Sequence, residues 1–234
     1  MKDRGFIIGV DLAQSTDWTA ILIAQIFQVD EGPKEVNHVH LRHLERLPKN
    51  TTYTDQAERL AALRFNSPSE LRLDQAPMVV DSTGVGRAVV DLLRDRGLDP
   101  TPVTFTAGDR ASFDDDLRGH RVPKKNLVSA LRVLLEKGRL KLAHDLPDLD
   151  ILLDELRDFE LQVTASGNLT FNARRGSHDD TVAALSLICW WALEHGPVSW
   201  GRDSVRHVKR RGAVERPAGG RGMWKEGSNR GRWS

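Results

Sequence analysis

Two short apolar runs, Phe6 to Val10 and Met78 to Val80, are unbroken by polar residues, as in strands covered on both sheet faces. The first belongs to a strand predicted over Gly5 to Asp11. Two longer segments, about Trp18 to Val29 and Val36 to Leu47, complete a three-strand meander with turn residues between them. A helix is predicted at about Thr54 to Phe65, then the Met78 to Asp81 strand, a helix over Val85 to Arg96 stopped by Gly97, and a strand over Pro102 to Thr106. A polar stretch, Gly108 to Arg121, leads to helices at about Lys124 to Lys137 and Leu149 to Arg157. A hairpin, Glu160 to Thr164 and Asn168 to Asn172 turning at Ser166-Gly167, precedes the last helix. That helix, Thr181 to Leu193, is apolar nearly all round and therefore buried. The pattern predicts an α/β fold: a mixed five-stranded sheet flanked by helices, with an added β-hairpin.

Each short apolar run stops at an acid, Asp11 or Asp81, and the last helix opens with Ser177-His178-Asp179-Asp180. If the two strands are parallel neighbours, sheet spacing of roughly 4.8 Å brings Asp11 and Asp81 within reach of one cation. Without a cation such acids raise one another's pKa, so the pattern points to hard oxygen ligands for Mg²⁺ or Mn²⁺. The helix start has a plainer explanation, since Ser177 with Asp180 matches a capping box and acids favour a first turn. Two adjacent acids with a histidine exceed what capping needs. Asp180 shares a face with Ala184, Leu187 and Trp191 and should point into the protein, which favours it over Asp179 as the ligand.

Composition narrows the setting. The chain has 234 residues, 39% hydrophobic, with a net charge of +1, enough for one sizeable core. From Pro197 to Ser234 there are ten Lys plus Arg against three acids, a net +7, which leaves −6 for residues 1–196. This divides the chain into a folded domain, 1–196, and a basic Gly/Arg/Trp-containing flexible tail, 197–234. The tail, with Arg210, Arg211 and three tryptophans, suits phosphate contact and base stacking, or serves as a solubilising or partner-binding segment. Lys124 and Lys125 open a helix against its dipole, which fits a phosphate partner or an exposed basic turn. A single cysteine, Cys189, excludes an intramolecular disulfide and suits a reducing compartment. No apolar run approaches the length of a membrane span or a signal-peptide core. The expectation is an intracellular protein without a membrane partner.

The strand order, with Asp11 on the first strand and Asp81 on the fourth, resembles the ribonuclease H-like nucleases. The strings GVDLAQSTDWTAI, VVDSTGVG, RVPKKNLVSALRVLLEKGRLKL and GSHDDTVAALSL are similar to the nuclease domain of the tailed-bacteriophage terminase large subunit, over residues 5–195. The resemblance implies catalytic, metal-binding positions at Asp11, Asp81 and Asp180, with Asp17, His178 and Asp179 as accessory positions and Asp179 also close enough to ligate. It implies two divalent ions, Mg²⁺ or Mn²⁺, and hydrolysis of double-stranded DNA in genome packaging. Implied partners are a separate packaging ATPase, a small terminase subunit and a portal, in the cytoplasm of an infected or lysogenic bacterial host. The chain departs from a full large subunit in having no GxxxxGK[ST] phosphate loop, so motor activity is not predicted.

Three other readings share these residues. A Holliday-junction-resolvase-like nuclease would use the same acids on branched DNA. An actin- or sugar-kinase-like ATPase is loosely suggested by Asp11 with Ser15-Thr16, but Leu12-Ala13-Gln14 stand where close approach to phosphate wants glycine. A non-catalytic DNA-binding packaging or assembly factor would keep the fold and not the activity.

Overall fold

The computed structural model describes residues 1–13, 17–166 and 179–195, without the side chains of 159–166. Its centre is an antiparallel meander of β1 (Lys2–Asp11), β2 (Thr19–Glu31) and β3 (Lys34–Leu47). After α1 (Tyr53–Phe65) the chain returns through β4 (Met78–Asp81), which pairs parallel with β1. α2 (Gly86–Asp95) leads to β5 (Pro100–Thr106), parallel to β4.

Among the described residues the sheet has eight strands rather than the expected five, and with β6 (Ser112–Asp114), β7 (Gly119–Pro123) and β8 (Leu140–Leu142) its order is β6-β7-β5-β4-β1-β2-β3-β8. Two of the extra strands, β6 and β7, form an antiparallel pair within the stretch read as merely polar. The third, β8, follows α3 (Lys124–Glu136) and pairs parallel with the meander's last strand. Three-residue strands such as β6 and β8 carry too few positions to show a period of two.

The predicted hairpin is corrected in its first half. Residues Glu160 to Thr164 continue α4, which runs Leu149–Ser166. Their short polar and apolar alternation is outweighed by a run of good helix formers, with apolar positions Leu149, Leu152, Leu156, Phe159 and Val163 at helical spacing. The second predicted strand, Asn168 to Asn172, lies outside the described residues, as does the proposed tail from Pro197 onward.

Alternation along the strands builds two cores. Ile7, Ala20, Leu22, Val79 and Val103 face Leu127, Leu131, Leu134, Leu152 and the final helix, α5 (Asp180–Glu194). Ile8, Val10, Ile21, Met78 and Val80 face Ala57 and Leu60 of α1 and Val89 and Leu93 of α2. Every residue of α5 from Asp180 to Ala192 is buried, as its all-round apolar sequence predicts. The closest approach is at Gly9 in β1, where a Cβ would stand 2.5 Å from the Ala184 carbonyl oxygen and 2.6 Å from Ile188 Cγ1. Only glycine lets α5 lie so close to the sheet. No described helix is long and apolar enough to cross a membrane.

Candidate functional site

β1 and β4 both end in an acid, and their parallel register pairs Asp11 directly with Asp81. Beyond these carboxyl ends the strands open into loops. After Asp81 the chain turns sharply, with Gly84 at φ 82° and Gly86 at φ 71°, conformations glycine adopts freely. The Thr83 amide donates to Asp81 Oδ1 at 2.7 Å, and the Thr83 hydroxyl in turn accepts from the Phe105 amide at 2.8 Å.

The third acid arrives from the far end of the sequence. Asp180 is the first residue of α5 and only 7% exposed. Its Oδ2 accepts from the Trp18 amide at 3.4 Å, which ties the helix start to the entry of β2. Asp179 is half-buried and Asp17 exposed. Asp11 keeps some exposure at the mouth of this recess but is otherwise crowded by protein. Burial, then the charges of Asp81, Asp180, Asp179 and Asp17, hold its carboxyl well above the usual range. Asp81 is pushed up to about 6, mainly by burial and with a contribution from Asp179, against the pull of Thr83 and the Lys124 charge.

The five predicted acids therefore gather in one recess, and Lys124 acts on it electrostatically. Lys125 instead pairs with Asp109 on the surface. His178, Arg210 and Arg211 lie outside the described residues. Among the described residues no three His, Cys, Asp or Glu side chains form a ready-made metal cage. An ion held by one or two carboxylates with water and phosphate needs no such cage, and that is the habit of Mg²⁺.

One residue of this region escapes sequence reasoning. Glu155, on α4, is 7% exposed. Its Oε2 accepts from the Thr181 amide at 3.0 Å, the Val182 amide at 3.2 Å and the Thr181 hydroxyl. Asp179, the residue before α5, makes no side-chain capping bond, so Glu155 satisfies the helix's first free amides from outside. Burial pushes Glu155 up to about 7, with Asp180 adding to the effect. The available signal is an acid three residues after the buried Leu152 and one before the partly buried Leu156, on the face a helix turns inward.

Similarity to known proteins follows the same residues. A family model for the terminase RNase H-like domain matches residues 8–189. The terminase large subunits of Thermus phage G20c and Thermus virus P23-45 are each 30% identical over 185 residues, 79% of this chain and 31% of theirs. The match thus spans under a third of those relatives' length. The crystal structure of the large terminase nuclease from thermophilic phage G20c is similar with a TM-score of 0.51 and 29% identity, over 80% of this chain and 83% of that one. The human cytomegalovirus terminase nuclease domain reaches 0.50 at 12% identity, over 80% and 82%, a likeness of fold.

Proposed function

Since this chain belongs to the terminase RNase H-like domain family, we propose that it is a divalent-metal-dependent endonuclease that hydrolyses double-stranded DNA during viral genome packaging. The observation that carries the reading is the direct pairing of Asp11 with Asp81 at two adjacent parallel strand ends, with buried Asp180 brought over them by α5. Buried carboxylates whose ionised forms are disfavoured by one another are at odds with stability alone, and fit a site completed by positive charge.

The donor set is entirely carboxylate oxygen, which suits Mg²⁺ or Mn²⁺. Asp11, Asp81 and Asp180, with Asp179 beside them, would hold two such ions. Asp11, which lies among the charges of Asp81, Asp180 and Asp179, would be the central ligand. Bound there, the ions supply a lowered pKa for an attacking water and neutralise charge on the leaving 3′ oxygen. The chain's own part is positional. Thr83 fixes the Asp81 carboxylate, the Trp18 amide fixes Asp180, and Lys124 adds positive charge on the Asp81 side, where a phosphate would approach. No side chain is required to form a covalent intermediate. His178 is proposed to orient a water or a phosphate, and Arg210 and Arg211 to add backbone contacts. Proposed partners are duplex DNA, a packaging ATPase, a small terminase subunit and a portal, within the bacterial host cytoplasm.

The test is cleavage of supercoiled and linear plasmid in Mn²⁺, Mg²⁺ and EDTA beside Asp81→Ala. Metal-dependent cutting that vanishes in the variant is expected. Cutting that survives in EDTA or in Asp81→Ala would refute the assignment.

A further inference from the structure

Sheet register places a cation level with the acids. Asp81 pairs with Asp11, Asp11 with Ala20 of β2, and Ala20 with Arg46 of β3. Paired residues point to the same face, so Asp81, Asp11, Ala20 and Arg46 form one row across four strands. At strand spacing, Arg46 stands roughly 10 Å along that row from Asp11, and the Ala20 between them is fully buried in the core. The Arg46 guanidinium lies 4.5 Å from the centre of the Trp18 ring, and Lys49 Nζ lies 5.6 Å from it. Trp18 is the residue whose amide holds Asp180. An indole and two cations thus flank the acid recess and share a backbone contact with it.

Neither cation has a carboxylate partner among the described residues, and Arg46 Nε is buried without a hydrogen bond. The adjacent acid is engaged elsewhere, since Glu45 accepts both Arg59 Nε at 2.8 Å and Arg59 Nη2 at 2.9 Å. A cation on an indole face at a half-exposed surface is held weakly and keeps N–H groups available for a better anion. The Arg fork matches phosphate bidentately, and a tryptophan face also suits stacking on a base or sugar.

We infer that Trp18, Arg46 and Lys49 form a strand-holding lip that grips the sugar-phosphate backbone of DNA beside the bond to be cut. This rests on the proposed nuclease reading and adds to it the side on which the substrate strand runs, from the acids past Trp18 toward Arg46 and Lys49. The acids repel phosphate, so a cationic contact in line with them gives the backbone a defined register over the recess.

The experiment measures binding of a short fluorescein-labelled DNA duplex by anisotropy in EDTA, where no cutting occurs, between about 50 and 200 mM salt. The variants are Arg46→Ala with Lys49→Ala, Trp18→Phe as a mild replacement, and Arg59→Ala as a control whose cation is already paired. The double variant should weaken binding roughly tenfold or more, and should flatten the slope of log affinity against log salt by about 2, near 0.9 for each phosphate that is no longer neutralised. Arg59→Ala should leave the slope unchanged, Trp18→Phe should keep it while weakening binding modestly, and the Mn²⁺-induced rise in melting temperature should persist in all three. An unchanged slope in the double variant would overturn the inference and leave the nuclease reading standing. Loss of the Mn²⁺ response in that variant would also overturn it, because the residues would then act by distorting the acid recess. A parent protein that binds no duplex, or that shows no Mn²⁺ response, would sink the nuclease reading itself.

Discussion

In Gly9→Ala a methyl group enters the interface between β1 and α5. It would sit 2.5 Å from the Ala184 carbonyl oxygen, where ordinary contact begins at 3.4 Å, and 2.6 Å from Ile188 Cγ1. The oxygen belongs to a helix backbone and cannot rotate away, so α5 must retreat by about 0.9 Å at this point. Overpacking of this kind costs about 1–3 kcal/mol, which for a domain of this size lowers the melting temperature by roughly 5 °C. The chemical effect should be larger than the thermal one. Gly9 lies two residues before Asp11 and Ala184 one turn after Asp180, so the retreat carries Asp180 away from Asp11. A displacement of about 1 Å in a reacting constellation can cost 10²-fold in rate. The assay pairs thermal melting in EDTA with initial rates of plasmid cleavage in Mn²⁺, at a temperature where the variant is fully folded. A melting temperature within about 1 °C of the parent, together with a rate within about threefold, would refute the idea that this glycine sets the helix's distance from the acids.

Three further outcomes are expected. Asp81 has its pKa pushed up from 3.8 to about 6, so the ionised form is disfavoured in the folded state, by roughly 3 kcal/mol at pH values above the folded pKa. That penalty grows as pH rises from 3.8 to about 6; Asp81→Asn should therefore raise the melting temperature of metal-free protein at pH 8, not at pH 4, and abolish the further rise caused by Mn²⁺. Glu155→Ala leaves the Thr181 and Val182 amides without their acceptor and should lower stability by about 2 kcal/mol or more in urea titrations; an unchanged midpoint would show that water caps the helix equally well. His195 has its pKa pushed down to about 4, mainly by burial and also by His120, and stacks on Trp191 at 3.7 Å. The unfolded chain binds this proton near 6.5 and the folded one does not, so stability should fall as pH drops through that interval, and His195→Phe should flatten this limb in pH-dependent melts.

What is legible in the sequence follows from the length and partnering of each segment. Met78 to Asp81 is identical in prediction and structure, because a strand buried on both faces has no polar position to blur its ends. The buried setting of Asp180 is likewise readable from its place on the apolar face of α5. The sequence does not reveal β6 and β8, since their pairing is decided by neighbours distant in the chain. Glu160 to Thr164 reads wrongly as a strand because five residues fit either period, and continuity with the preceding helix decides the outcome. Glu155 escapes notice because its partners, Thr181 and Val182, are 26 and 27 residues away, and nothing local distinguishes a capping glutamate from a solvated one.

The two outermost strands of the sheet, β6 and β8, are three residues each. β8 covers β3 only from Val39 to Leu41, so among the described residues most of the outer edge of the fourteen-residue β3 lies beyond its reach and is where a further strand can build.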